Sequence, residues 1–456
     1  SMGLAYISAV LKKNGHSVKL WDSYYTKEES IADEIAKSDV QIAMFSVHTL
    51  AYQRILAMSK AIKNKNPGII ILFGGWHSLI DPDSMINEPS VDLVCIGEGE
   101  YAALDVANDF DETHLSNVRK ILNIWSKKDG KIIKNSPRKL ESLDKLPFPD
   151  RDIFDKNSLK DRDGKFFFSS GRGCPYNCSY CCNKKMVGLY RECDSPYVRL
   201  RNIDSCMEEL KMIKEKYNPP EIFFVDEMFL ISEGRTKEFC EAYKKNNIGI
   251  PFGFMARVEK ITDHIAKILK DAGCVRIHFG VESGNEEIRR KYLNRYMTND
   301  QIINAFDICH KHGIKTCSFN MIGLPFETKE TIKDTFELNK RIKPDQFQIT
   351  IVYPFPGTEM RDIYKKYDMI DESKDSGRNI FNTYILKNTK VPFSYIKHQQ
   401  VFMQFYFFSG KAKLFAYLSK IIPLPLLNRY TILSQFIFKK NKIRTITKRI
   451  KKMVGG

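Results

Sequence analysis

An α/β fold is predicted throughout: a doubly wound parallel sheet, then a partial (β/α)6 barrel, then a mainly helical C-terminal region. Three observations carry this. Short Val/Ile-rich runs alternate with helical patterns over residues 4 to 100, as buried parallel strands do. A stretch of poor periodicity follows, ending in the Pro-punctuated "LPFPDRDIFD" (146–155). The alternation restarts at 165, with six more apolar runs. The domains are therefore 1–140, a linker 141–164, a barrel 165–365 and a C-terminal region 366–456.

"LAYISAVLKKNG" (4–15) places apolar residues at helical spacing and stops at Gly15. The strand candidates "HSVKLWD" (16–22), "QIAMFSV" (41–47), "GIIILFGG" (68–75) and "VDLVCIGEGE" (91–100) follow, separated by helices. Ligands in such sheets sit beyond the strand C-termini. Here those ends are small and polar: Ser46, His48 and Thr49; Gly74, Gly75, Trp76 and His77; Gly97, Glu98, Gly99 and Glu100. The barrel strands are "KFFFSS", "EIFFVDE", "IPFGFMAR", "VRIHFGVES", "KTCSFNMIG" and "QFQITIVYP". Six are too few for a closed eight-fold barrel. Chemistry gathers at strand C-termini in such folds, where Asp226, Glu227, Arg257, Glu282 and Asn320 fall.

Composition bounds the function. The chain has 456 residues and 43% hydrophobic content, enough for two or three domains with full cores. Its eleven cysteines are dispersed, which suits a reducing cytosol better than a disulfide framework. No uncharged apolar run reaches the roughly 18 residues of a spanning helix. Of the net charge of +17, eight Lys/Arg lie in the acid-free tail "KKNKIRTITKRIKK" (439–452), so the charge is weak evidence for nucleic acid. The aromatic, leucine-rich and lysine-dotted segment from about 390 reads as a helical cap over the barrel mouth. The alternative is a patch peripheral to a membrane surface.

The chemistry concentrates in "SSGRGCPYNCSYCC" (169–182). Cys174, Cys178 and Cys181 form a Cys-x₃-Cys-x₂-Cys turn, with Cys182 adjacent. Structural zinc takes four ligands, and Cys193 is a candidate fourth. Three thiolates suit an iron–sulfur cube better, because they leave one iron open to a small molecule.

This turn after a β-strand resembles the radical S-adenosylmethionine (SAM) superfamily. The resemblance implies a [4Fe–4S] cluster on Cys174, Cys178 and Cys181, with Cys182 not a ligand. It also implies SAM on the open iron, cleaved by one electron to a 5′-deoxyadenosyl radical. It assigns Tyr180 to adenine and, within "FFVDEMF", Asp226 and Glu227 to the SAM amino group. "FMARVEKIT" resembles the family's third-strand end and supplies Arg257. In "FGVESGNEEIRRKYLNR", Glu282 is implied for ribose or methionine and Arg295 for the carboxylate. "FNMIGLPFET", with Asn320, and "YPFPGT" match the strand ends that flank adenine.

The N-terminal sheet, above all "FGGWHSLIDPDSMINEPSVDLVCIGEGE" (73–100), is similar to the cobalamin-binding branch of that superfamily. This implies cobalamin at the Ser46–Thr49, Gly74–His77 and Gly97–Glu100 loops. The Asp-x-His-x-x-Gly signature is absent, so no histidine is expected under cobalt. The chain opens "SMGLAYISAVL", where an earlier strand is usual; an expression scar and a missing first, central strand are expected. The implied activity is methylation of an unactivated carbon in a small-molecule or lipid-like substrate, with flavodoxin or ferredoxin as electron donor. Alternatives are a cobalamin-independent rearrangement, oxidation or carbon–carbon coupling, an RNA methylthiotransferase-like role, and a non-catalytic iron–sulfur electron carrier.

Overall fold

Alternating apolar runs become a mixed sheet and a parallel one, joined by a docked linker. The computed structural model describes residues 2–22, 28–154, 165–374 and 385–407. In the first sheet, α1 (Met2–Lys13) and α2 (Glu28–Ala36) precede β1 (Ile42–Ser46), and α3 (Tyr52–Lys65) leads to β2 (Ile70–Gly74). Two short helices, α4 (Trp76–Ile80) and α5 (Pro82–Ile86), lead to β3 (Leu93–Cys95) and α6 (Glu100–Thr113). β1, β2 and β3 are parallel neighbours in that order. Both faces are covered: Ile55, Leu56, Ile62, Phe73 and Val94 pack on the α3 side, and Leu72, Cys95, Ala102 and Val106 on the α6 side.

Two expectations for this half are corrected. The run 16–22 is not a strand, because no neighbour among the described residues offers it a hydrogen-bonding edge. The poorly periodic region after α6 holds a hairpin, β4 (Ile124–Lys128) and β5 (Lys131–Lys134), which extends the sheet antiparallel from β3. The turn Asp129-Gly130, both at positive φ, was its sequence signal.

The linker is held by charge. Asp150 accepts from Ser8 at 2.6 Å and pairs with Lys12 at 2.8 Å, fastening α1. Arg151, fully buried, meets Glu209, which also pairs with Arg201.

The second half begins with β6 (Phe166–Phe168) and a two-residue ribbon, β7 (Gly171–Arg172) with β8 (Arg199–Leu200), flanking α7 (Asn183–Arg191). Then come α8 (Ile203–Tyr217), β9 (Ile222–Phe224), α9 (Glu233–Lys245), β10 (Phe252–Ala256), α10 (Asp263–Asp271) and β11 (Cys274–Glu282). They are followed by α11 (Glu286–Leu293), α12 (Asn299–Lys311), β12 (Lys315–Ile322), α13 (Lys329–Ile342), β13 (Gln346–Ile351), α14 (Glu359–Lys366) and α15 (Phe393–Tyr406). All six anticipated barrel strands form one parallel sheet in chain order, β6-β9-β10-β11-β12-β13. Alternation decides what faces the helices: Phe166, Phe168, Ile222, Phe224, Phe252 and Phe254 join the outer core.

The described C-terminal part covers the open edge rather than the mouth. Gln404 Nε2 donates to Phe347 O at 3.0 Å and its Oε1 accepts from Ile349 N at 3.4 Å, so a side-chain amide completes part of the β13 ladder. The rest of the anticipated cap and membrane patch lies outside the described residues. No helix among the described residues is long and apolar enough to cross a membrane.

Candidate functional site

The cysteine turn leaves β6 and is shaped by Gly173, whose φ is +94°. A Cβ there would sit 2.7 Å from Tyr197 O and 2.9 Å from Val198 Cα, so no other residue fits. Ser179 pins the middle of the turn. Its N–H donates to Leu293 O at 3.3 Å, its hydroxyl donates to Tyr292 O, and its carbonyl accepts from Met360 N at 2.9 Å. Cys178 is buried, and Cys174 and Cys181 are half-buried. Cys182 holds the N-cap position of α7.

Two guanidinium groups approach the Cys178 sulfur, Arg257 Nη1 at 3.6 Å and Arg295 Nη1 at 3.8 Å. Arg257 also lies 3.9 Å over the Tyr176 ring and pairs with Glu259. Arg295 donates to Tyr180 Oη at 3.3 Å and to Gly280 O. Tyr180 in turn donates to Glu282 Oε1 at 2.8 Å. Glu282 ends β11 after a register shift and holds φ +68°, rare for a residue with a side chain. Burial raises its carboxyl pKa, against the pull of Arg295. Such strain is found where a side chain must be aimed. The sequence thus brings Cys178, Tyr180, Arg257, Glu282 and Arg295 together from four chain segments.

The remaining barrel residues separate. Glu227 accepts from Gly173 N at 3.1 Å and faces the cleft described below. Asp226 is buried and occupied: it accepts Ser170 N at 2.7 Å and the Ser170 hydroxyl, and burial pushes its carboxyl up to about 7. It anchors the turn's approach. Asn320 is a correction, because it turns outward toward α13. Its amide binds Ser318 and Gln348 O at 3.2 Å, and its oxygen accepts from Asn339 at 2.9 Å. Period-two alternation sends Ser318 and Asn320 to the helix side, and Phe319 and Met321 inward.

The C-terminal ends of β1, β2 and β3 border a cleft of about 380 Å³ whose far wall is made by barrel residues that flank the cysteine turn. Ser46, His48, Gly74, Gly75, Trp76, Gly97 and Glu98 line it from the N-terminal sheet; Ser169, Arg172, Met186, Tyr197 and Glu227 line it from the barrel. Thr49 and His77 are corrected. Both are buried behind the wall, His77 Nδ1 3.2 Å from Thr49 Oγ1 and its ring 4.3 Å from that of Tyr52. The glycines serve loop packing first. A Cβ at Gly75 would lie 2.8 Å from Val47 N, and one at Gly97 would overlap the Tyr190 hydroxyl.

Sequence reasoning missed Arg172 and Arg199. Arg172 pairs with Glu98 at 3.1 Å and Glu100 at 2.6 Å, and Arg199 also pairs with Glu98. Although burial opposes it, Arg172 holds the Glu100 carboxyl below its ordinary value. The available signal was Arg172 two positions before Cys174.

The donor set fits an iron–sulfur cube and its cosubstrate. Three thiols share one turn under two cations, and the buried Nε of Arg295 finds no acceptor among the described residues, as a guanidinium awaiting an anion would. No three His, Cys, Asp or Glu among the described residues converge on one point, as a single ion asks; a cube takes each thiolate on its own iron. The cleft has the mixed lining that a large, partly apolar ring needs, with Trp76, Leu79 and Met186 on its walls and Ser46 and Glu98 as polar groups.

The comparisons agree with this division. The model of the B12 binding domain matches residues 1–107, and that of the radical SAM superfamily matches residues 168–338. An uncharacterized methyltransferase of Pyrococcus horikoshii is 28% identical over 365 residues, covering 79% of this chain and 77% of that protein. An anaerobic magnesium-protoporphyrin IX monomethyl ester cyclase of Rubrivivax gelatinosus is 23% identical over 384 residues, covering 81% and 67%. In fold, the chain superposes on the radical SAM methyltransferase TsrM of Kitasatospora setae with a TM-score of 0.67 at 14% identity, over 81% of this chain and 74% of that one. With its [4Fe–4S] and SAM domain preceded by a cobalamin-binding domain, the chain belongs to the radical SAM superfamily, in the branch that carries a B12 domain.

Proposed function

We propose that this enzyme methylates an unactivated carbon of a small-molecule substrate held between the cysteine turn and the N-terminal sheet. The observation that carries this reading is the shared cleft: the loop edge of the B12 domain lines the same space as Ser169, Arg172, Met186, Tyr197 and Glu227, which flank the cysteine turn of the radical SAM domain. Cys174, Cys178 and Cys181 are the cluster ligands in this reading. Tyr180, Glu282 and Arg295 hold SAM, with Glu227 at the cleft side, and Ser46, His48, Gly74–Trp76 and Gly97–Glu98 meet the corrin. Bound there, the cluster and SAM supply one-electron radical chemistry, and cobalamin supplies a transferable methyl group.

The chain's own residues supply orientation and charge. Arg257 and Arg295 offset the negative charge of the turn at Cys178. Tyr180 orients Glu282, and Arg295 offers its unpaired Nε to a carboxylate. Trp76, Leu79 and Met186 give the cleft apolar walls beside a site that must protect a radical. A flavodoxin- or ferredoxin-like donor is the electron source in this reading, and the basic, aromatic C-terminus is assigned to lipid-like substrate or membrane-surface contact.

The likeness to the cyclase keeps ring-forming oxidation as the second reading. Anaerobic reconstitution with iron, sulfide and cobalamin, followed by cobalamin titration in visible absorbance, tests the first. Stoichiometric binding supports it. Absence of binding removes methyl transfer from cobalt and leaves the second.

A further inference from the structure

The sequence places Glu98 on the loop after β3, Glu100 at the first position of α6, and Arg172 and Arg199 on the ribbon beside the cysteine turn. Arg172 and Arg199 are register partners in that ribbon. Together they close a four-charge cluster on the loop. Arg172 forks to both glutamates, at 3.1 and 2.6 Å, and Arg199 takes the second oxygen of Glu98. All four side chains are at most 19% exposed. Arg172 is further seated 5.0 Å over the ring of Tyr6 in α1. The same loop is held from the other side, where Tyr190 Oη accepts from Glu98 N at 2.6 Å and Asn123 donates to Glu98 O at 2.8 Å.

Two facts give this cluster a role beyond adhesion. Glu98, Glu100 and Arg172 line the cleft, so a ligand there touches or restricts the clamp directly. Arg172 is also the residue before Gly173, whose φ of +94° sets the direction in which the chain enters Cys174. Buried, forked ion pairs are stiff in a way single exposed pairs are not. Order imposed on the loop therefore passes to the turn, and order imposed on the turn passes back.

Resting on the reading that cobalamin occupies this cleft, we infer that Arg172 is a positioning residue that couples the two cofactor sites, so that cobalamin and the cluster strengthen each other's binding. Coupling of this kind is reciprocal: the factor by which the cluster tightens cobalamin equals the factor by which cobalamin tightens the cluster. No new contact between the cofactors is needed, since the first to bind bears the cost of ordering the clamp.

The test measures cobalamin affinity anaerobically on full-length chain with and without reconstituted cluster, and the rate of iron loss to a chelator with and without cobalamin. In the wild type, the cluster should tighten cobalamin by about fivefold or more, and cobalamin should slow iron loss. Arg172→Lys keeps the charge but lacks the rigid planar fork whose two separated nitrogens reach one carboxylate each, and Glu100→Gln removes one pair from the opposite side. Both should bring the ratio of affinities close to one while iron content stays at the wild-type level. A residue that merely touched cobalamin, or merely stabilised the fold, would change both affinities together and leave their ratio intact. A wild-type ratio near one, or a ratio that survives in both variants, overturns the inference and leaves the proposed function standing. Failure of the wild-type chain to bind cobalamin at all overturns both.

Discussion

Tyr180 donates its hydroxyl to Glu282, 102 positions away, at 2.8 Å, and Arg295 completes the group from the loop after α11. The contact joins the residue before the third turn cysteine to a carboxylate held at φ +68°. It ties the orientation of the SAM pocket to the cysteine turn.

Glu282→Ala and Arg295→Ala should therefore weaken SAM binding by roughly tenfold or more, the worth of one charge-assisted hydrogen bond, while leaving iron content unchanged. Tyr180→Phe should lose less, because it frees Glu282 without removing it. Equilibrium dialysis of SAM on reconstituted protein, alongside iron analysis, checks the order. Unchanged affinity in both alanine variants would refute the assigned roles.

Cys178→Ala should abolish the cluster, since it removes the sulfur beneath both guanidinium groups. Cys182→Ala should retain it. Iron and sulfide assays with visible absorbance read the difference, and cluster loss in a folded Cys182→Ala protein would overturn the ligand assignment.

Glu327 offers a pH test away from the cysteines. Its carboxyl is buried, accepts Gly323 N at 2.7 Å and Leu324 N at 3.1 Å, and is pushed by burial up to about 8. A carboxyl whose folded pKa is raised contributes stability that is full below its ordinary value of 4.5 and is lost as pH rises through about 8. Melting temperature should fall over that window in the wild type. Glu327→Gln, which keeps an acceptor for both amides and cannot ionise, should flatten the profile. Parallel profiles would contradict the assignment.

Asn320→Ala should cost stability and not SAM affinity. It strips partners from Ser318 and Asn339 inside the β12–α13 packing, a loss of about 1–3 kcal/mol for buried polar groups left unsatisfied. Denaturant unfolding and SAM dialysis on the same variant separate the two. A large loss of SAM affinity at unchanged stability would return Asn320 to the pocket.

Much of this was legible in the chain itself. All six barrel strands announced themselves as alternating apolar runs, and the turn was evident because cysteine chemistry depends on spacing within a short loop. Asn320 misled for a specific reason: position at a strand's end is readable, but which face it takes depends on register. Thr49 and His77 misled similarly, since a loop can present one residue to a cleft and bury the next. Residues 16–22 carried strand propensity, yet a strand needs a partner edge, and propensity says nothing of that. The clamp of Arg172, Arg199, Glu98 and Glu100 was invisible because it joins segments that only the docking of two sheets brings together.

The most direct test of the central claim is product analysis after anaerobic reconstitution with cluster and cobalamin, using SAM and a strong reductant. The expected result is formation of 5′-deoxyadenosine that is lost in Cys178→Ala, together with S-adenosylhomocysteine that requires bound cobalamin. Formation of 5′-deoxyadenosine without any cobalamin-dependent S-adenosylhomocysteine would contradict methyl transfer. Absence of both products from cluster-loaded wild-type protein would contradict the radical SAM assignment of the site itself.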